Sequence, residues 1–507
     1  MHNSIGALIS DAGARFAEKT ALVYEGRSYS FQELHVLSSN VAHSMADLGI
    51  GKGDIVSLYS PNCPEWIIAY YAILKLGAIV NPLNLMLTPS EAAYALGDCG
   101  AVAVLGSTDK LEGLAPYIES TKLKHRINFN SSQLSGCLSF ETLLSSDGSP
   151  EVYPIRDLQQ EDVSTIGYTS GTTGHPKGAV LSHKAILMNV AMTATMHVRN
   201  PSDTVVSSLP LSHVYGNVVM NSAMAYGMKL ILHKTFDAEQ TLLSIQEHRA
   251  SVFEGVPTMY MYLLEHPKLR DYDLSSLTRC TVGGQTMPLV KMEQVEAALG
   301  CRLLELWGMT ELGGLGVTHS MYGPRKLGSA GIPLPHVQAR IVCPEAGTVL
   351  ATDQVGELQI RGPITMIEYL GKASATHETI DNEGWLRTGD LARIDKEGYI
   401  YVVDRLKDMI ITAGFNVYPA ELERVIAEHP SVAMVAVGGI PDDAKGELAK
   451  AYIVTKNDIP LDVKALELHC RSRLAAYKVP RAYQQVRELP KTSTGKIVRR
   501  LLETHCR

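Results

Sequence analysis

The sequence predicts an α/β protein: a large N-terminal domain of mixed, largely parallel sheets layered with helices, followed by a small α+β C-terminal domain. Three observations predict it. The chain has 507 residues, more than one hydrophobic core ordinarily covers. Short apolar runs alternate with amphipathic segments along most of the chain, the pattern of βαβ units. From about Gly398 the texture changes to longer strand-like runs around two helical patterns, over a length that suits one further domain. The division is expected between residues 1–404 and 405–507.

Taken in order, ALVYEGRSYS reads as a hairpin, after which Ser30 and Glu33 form an S-x-x-E capping box that opens a helix. DIVSLYS, AIVNPL and AVAVLG are short apolar strands separated by amphipathic segments. The longest apolar run, Trp66 to Val80, is shorter than a bilayer span and contains Lys75, so it reads as a buried helix leading into a strand. SDTVVSSLPL, MKLILH and SVFEGVP continue the strand series. In the last part YIYVVDR and DMIITAGFNVYP read as strands, PAELERVIAEHP as a helix, VAMVAVGGIPD and KAYIVT as strands again. VKALELHCRSRLAAY is a final helix before a last short strand.

Composition narrows the function classes. With 45% apolar and 20% charged residues the chain is globular, neither disordered nor fibrous. No basic n-region precedes a long apolar core at the N-terminus, and THCR matches no retention or peroxisomal signal, so the expected location is cytoplasmic. The eight cysteines form no CxxC pair, which predicts free thiols and no structural zinc. The net charge of −7 is uneven: from Arg405 onward there are 17 Lys and Arg against 12 Asp and Glu. A basic tail on an acidic body suits an anionic small molecule or an acidic protein partner; no nucleic acid partner is expected.

The chemistry concentrates in YTSGTTGHPKG, Tyr168 to Gly178. Glycine-rich backbone can converge its N–H groups on phosphate oxygens, and Ser and Thr hydroxyls add donors. The loop lacks the G-x-x-x-x-G-K-[ST] spacing of a Walker A motif, which sets kinases and P-loop ATPases aside. Four further stretches accompany it: ELWGMTE, GWLRTGDLA, DRLKDMIITAGFNVYPAELE and LPKTSTGK. Together and in this order they resemble the adenylate-forming superfamily of acyl-CoA synthetases, luciferases and peptide-synthetase adenylation domains.

The resemblance implies a two-step reaction. A carboxylate attacks the α-phosphate of ATP to give an acyl-adenylate and pyrophosphate, and a thiol then displaces AMP. The loop Thr169, Ser170, Gly171, Thr172, Thr173, Gly174 to Lys177 would wrap the β- and γ-phosphates. Glu311 would be the Mg²⁺ ligand and Thr310 would contact the adenylate phosphate. Gly284, Gln285, Trp307, Gly308 and Met309 fall on the nucleotide side. Asp390 would accept from the ribose hydroxyls, with Arg405 as a second ribose or phosphate contact. Lys496 would be the adenylation catalyst, an ammonium bridging two anions where they must meet. Lys407 occupies the hinge position of a mobile C-terminal domain whose strand around Gly414 would face the thiol channel.

For the acyl pocket the resemblance points to His213, Val214, Tyr215, Val219, Gly283, Leu312 and Leu315, with His213 also on the catalytic side. Val214 stands where amino-acid-activating relatives carry an Asp for the α-ammonium. The expected substrate is therefore an apolar monocarboxylic acid: fatty, alicyclic or aryl. Trp307 replaces a common Tyr, and its larger ring either belongs to medium- and long-chain fatty-acid ligases or shortens the pocket. Ile411 lies where some relatives carry a lysine used with the thiol. The acceptor is CoA or, as the alternative, the phosphopantetheine arm of an acyl carrier protein. The expected assembly is a monomer or homodimer.

Overall fold

The computed structural model describes residues 3–119, 121–130, 134–145, 157–169, 176–412, 415–442, 445–456, 459–491 and 497–505. Among these residues the strands form four sheets, of nine, eight, four and five strands. The nine-stranded sheet is parallel through its centre, where Thr204–Ser207, Lys229–Leu232, Val252–Gly255, Arg279–Val282 and Arg302–Met309 lie side by side. The eight-stranded sheet has a parallel centre in Ile55–Tyr59, Ile79–Pro82 and Ala103–Gly106, and an antiparallel edge in Val163–Thr169 and Lys177–Ser182. One continuous apolar core, running in sequence from Ile5 to Ile400, draws side chains from both large sheets.

Local sequence explains the helices around them. Ser30 and Glu33 make both hydrogen bonds of the capping box at the start of Phe31–Asp47. The apolar run anticipated as buried is the helix Pro64–Lys75, followed by the strand Ile79–Pro82. Lys75 is fully buried in it, and its ammonium nitrogen donates to the His35 carbonyl and to the Ser38 and Ser39 hydroxyls. A buried lysine is tolerable only with such partners. The helix Val214–Ala225 begins at His213, whose Nδ1 accepts the Tyr215 N–H at 3.2 Å and caps it.

The change of texture near Gly398 comes before the change of sheet. Ile400–Arg405 completes the antiparallel four-stranded sheet by pairing with Leu386–Ile394, in a register that places Asp390 opposite Arg405. The five-stranded sheet follows, with Ile410–Thr412, Phe415–Val417, Val432–Asp442 and Gly446–Thr455, and with Ala482–Gln485 parallel to the last of these. It packs on the helices Pro419–Ala427 and Val463–Arg471 around a core of its own, Ile410 to Val479. The large N-terminal and small C-terminal domains thus have separate main cores, each with a smaller apolar cluster beside it, around Leu96 in the first and Tyr452 in the second. The seven cysteines among the described residues are free thiols. No helix among them is long and apolar enough to cross a membrane.

Candidate active site

Two paired strands flank the glycine-rich stretch. Val163–Thr169 and Lys177–Ser182 pair antiparallel, and their last register pair is Thr169 opposite Lys177, which brings the two flanks of the glycine-rich stretch side by side. Ser170, Gly171, Thr172, Thr173 and Gly174 lie outside the described residues. Lys177 extends its ammonium over the Tyr369 ring, 5.2 Å from the centroid, which is cation–π range.

Tyr369 connects the loop to the ELWGMTE segment. Its hydroxyl donates to Glu311 Oε1 at 2.7 Å. Glu311 is buried in the short turn Thr310–Leu312, which ends at Gly313 with φ of 61°, a conformation in which a side chain would be strained. Burial raises the proton affinity of the Glu311 carboxyl, while the Tyr369 hydroxyl opposes that rise by stabilising the charged form. Thr310 packs against Gly167 on the loop's first strand, where a Cβ would come within 2.7 Å of the Thr310 methyl. Glycine at 167 is therefore what lets the turn and the strand meet.

Trp307, Asp390 and Arg405 also converge. The Trp307 indole N–H donates to Asp390 Oδ2 at 2.8 Å, and Arg405 Nε lies 3.2 Å from Asp390 Oδ1. Asp390 is buried, and both it and Arg405 are near enough to act electrostatically on Glu311. Trp307 thus directs its polar edge to Asp390. Gly308 has no room for a side chain, since a Cβ would sit 2.1 Å from the Gly314 carbonyl oxygen. Met309 ends the strand that delivers the turn, and Gly283 is closed in by Leu306. Gly284 is exposed with φ of 89°, and Gln285 beside it is half-buried.

Next to Thr310 opens a cleft lined by Pro82, Gly167, Ile186, His213, Val214 and Asn217 among others. Its lining has no charged side chain but is more polar than the apolar pocket expected, because Asn84, Thr165, Tyr168, Ser212 and Asn217 also face it. Since His213 Nδ1 accepts the helix-capping N–H, a neutral imidazole carries its proton on Nε2. Val214 lines the cleft; Tyr215, Val219, Leu312 and Leu315 lie instead in the core behind it. Tyr215 is anchored there by its hydroxyl, which donates to Glu254 at 3.2 Å and contacts Thr281. Glu254 in turn pairs with Arg199 in a fully buried ion pair at 2.6 Å.

The family model described as AMP-binding enzyme matches residues 9–370, and that of the AMP-binding enzyme C-terminal domain matches residues 421–496. The chain belongs to the AMP-binding enzyme family. A long-chain-fatty-acid–CoA ligase of Bacillus subtilis is 34% identical over 99% of this chain and 94% of its own length. A Mycobacterium tuberculosis 3-[(3aS,4S,7aS)-7a-methyl-1,5-dioxo-octahydro-1H-inden-4-yl]propanoyl:CoA ligase is also 34% identical, over 95% of this chain and 94% of the relative. Among solved structures, an anthranilate CoA ligase, AuaEII, in complex with anthranoyl-AMP superposes with a TM-score of 0.93 at 27% identity, covering 99% and 97% of the two chains.

In this AMP-binding enzyme Lys407 is exposed in the short turn Leu406–Asp408, between the last strand of the four-stranded sheet and the first of the five-stranded one. Gly414 and Lys496 lie outside the described residues. The stretch that carries Lys496 is bracketed by a bridge between Lys491 and Ile497. Three residues with no mark in the sequence support the site. Asn189 donates to the Leu312 and Leu315 carbonyls and accepts the Leu315 N–H, tying down the turn after Glu311. Tyr369 joins Lys177 to Glu311. Arg499 reaches Glu423 at 2.8 Å, Asp408 at 3.3 Å and Asp404 at 3.7 Å, spanning both sides of Lys407. No local pattern announces them, because each acts across a long sequence separation.

Proposed function

We propose that the protein is an AMP-forming acyl-CoA synthetase. It activates an apolar monocarboxylic acid, fatty, alicyclic or aryl, as acyl-AMP with release of pyrophosphate, and passes the acyl group to CoA. The observation that carries this reading is the convergence of Lys177, Tyr369, Glu311 and Thr310 beside an uncharged cleft. A phosphate loop, a buried carboxylate and a carboxylic-acid cleft then share one edge.

Each side chain has a role in that reaction. Thr169, the loop 170–174 and Lys177 neutralise and position the β- and γ-phosphates, which matters more in phosphoryl transfer than covalent help. Mg²⁺ fits Glu311, a hard oxygen donor; when bound it shields triphosphate charge. Asp390 accepts from the ribose hydroxyls, with Trp307 and Arg405 fixing its carboxylate. Gly284, Gln285, Gly308 and Met309 form the backbone wall of the nucleotide site. His213, through its Nε2–H, and Thr310 meet the carboxylate and the adenylate phosphate; Val214 and the core residues Tyr215, Val219, Gly283, Leu312 and Leu315 shape the acyl side. Lys496 bridges the two anions in the first step.

The domains divide at 404/405, and the small one turns about Lys407 to bring the strand around Gly414 to the thiol. CoA is favoured as acceptor over a carrier protein, because the relatives described above are CoA ligases. A cytoplasmic setting, where acid, ATP and CoA are available, completes the proposal.

ATP–pyrophosphate exchange across a panel of fatty, aryl, dicarboxylic and amino acids tests it. Exchange with one class of apolar acid in the wild type, lost in Lys496→Ala, is the expected result. Exchange supported by amino acids, or none with any acid, would sink the reading.

A further inference from the structure

Among the polar residues of the cleft that the apolar substrate expectation does not explain, Asn217 has the most closely defined surroundings. It lies on the helix Val214–Ala225, one turn after His213, is 9% exposed and lines the same cleft as Thr310 and Val214. Its Oδ1 is occupied: it accepts the Tyr70 hydroxyl at 3.3 Å and Asn221 Nδ2 at 2.9 Å. The Asn221 amide is itself oriented, because its Nδ2 also donates to the Asn217 backbone carbonyl at 3.0 Å, a group that can only accept. Turning Asn217 over would therefore face one NH₂ with another. Its Nδ2 is left without an acceptor among the described residues, next to the cleft.

We propose that Asn217 Nδ2 donates a hydrogen bond to an oxygen on the body of the acid, so that the substrate class is an acid with an oxo, ether or hydroxyl acceptor along an otherwise apolar skeleton. The inference rests on the acyl-activating reading above and narrows it. A plain hydrocarbon body would desolvate the Asn217 N–H without pairing it, and a site built around a hydrogen bond rejects an analogue that lacks the partner. Four residues along a helix advance about 6 Å, so the acceptor stands in mid-body, away from the α- and β-positions beside the carboxylate at His213. Tyr70, Tyr71 and Asn221 hold the amide from behind, with the Tyr71 hydroxyl donating to Asn221 Oδ1 at 2.9 Å. These are positioning residues; Asn217 is the contact.

The test compares decanoic acid with its 5-, 6-, 7- and 8-oxo forms, measuring pyrophosphate exchange and acyl-CoA formation by the wild-type enzyme. At least one oxo isomer is expected to exceed decanoic acid in kcat/KM by about tenfold or more. In Asn217→Leu that ratio is expected to fall to about one. The wild-type comparison stands without the variant, should Asn217→Leu fail to fold. Equal or better use of decanoic acid than of every oxo isomer overturns the inference, as does survival of the ratio in Asn217→Leu. Failure of the broader reading looks different: no acid of any class supports exchange, and this inference falls with it.

Discussion

Glu311 sits where two demands on one carboxyl conflict. Burial raises its proton affinity above the ordinary carboxylate value, whereas a Mg²⁺ ligand must be ionised. The Tyr369 hydroxyl favours the ionised form by donating to it. A metal binding here competes with a proton, so lowering the pH toward the carboxylate range must weaken Mg²⁺ binding, by at most about tenfold per pH unit for a single group. The Mg²⁺ requirement of pyrophosphate exchange should therefore rise as pH falls. In Tyr369→Phe the rise should begin at higher pH, because the donor that stabilised the carboxylate is gone. Titrating Mg²⁺ at several pH values checks both; a requirement independent of pH, or a limb in Tyr369→Phe unmoved from wild type, would remove Glu311 from the metal site. The same sign governs stability: the folded state binds this proton more tightly than the unfolded chain, so the carboxyl's contribution is lost as pH rises through its folded value.

At the scale of elements, Lys177 and the Thr310–Glu311 turn stand at strand ends and are kept there by residues from elsewhere. The strand Arg302–Met309 carries Trp307 and leads into the Thr310–Glu311 turn, and Asn189 on the helix His183–His197 secures the far side of that turn with three hydrogen bonds. Asn189→Leu leaves backbone groups of Leu312 and Leu315 buried and unpaired, at a cost of about 1–3 kcal/mol. Reduced stability to denaturant, with a higher KM for ATP, is the expected result; unchanged values of both would mean the turn holds itself. This division of labour decides what the sequence could tell. The convergence of Lys177, Glu311 and Asp390 and the apolar strands were legible because sequence motifs and apolar alternation are written in consecutive residues. Asn189, Asn217, Tyr369 and Arg499 were not, because their meaning lies in partners 58 to 126 residues away for Tyr369 and Asn189 and in a helix face or an ion cluster for the others. The Ile400–Arg405 strand was read with the wrong neighbours for the same reason: its pattern reveals a strand and not which sheet receives it.

For the whole molecule, the main cores of the two domains are joined by a short stretch of chain. One core ends at Ile400 and the other starts at Ile410, with the exposed Lys407 between them. Arg499 ties Asp408 and Glu423 on the small domain's side at 3.3 and 2.8 Å, and Asp404 on the other at 3.7 Å, so a turn about the joint can keep the first two pairs and release the third. Two further hydrogen bonds cross the joint: the Ala420 N–H donates to Asp404 Oδ2 at 2.7 Å, and the Lys491 ammonium reaches the Tyr262 hydroxyl at 3.3 Å, an exposed pair that can separate at little cost. Rotation thus needs release of the Asp404 contacts and backbone freedom at residues 406–408. Proline at 407 fits the short helical turn found there and fixes its φ, so Lys407→Pro should hold this arrangement and slow whichever half-reaction requires the other one. Pyrophosphate exchange reports the first half-reaction, and transfer from preformed acyl-AMP to CoA reports the second. A loss of about tenfold or more in one with the other retained is the expected signature of a gated conformational step. Equal rates for both, or equal losses in both, would mean that one arrangement of the domains serves the whole reaction.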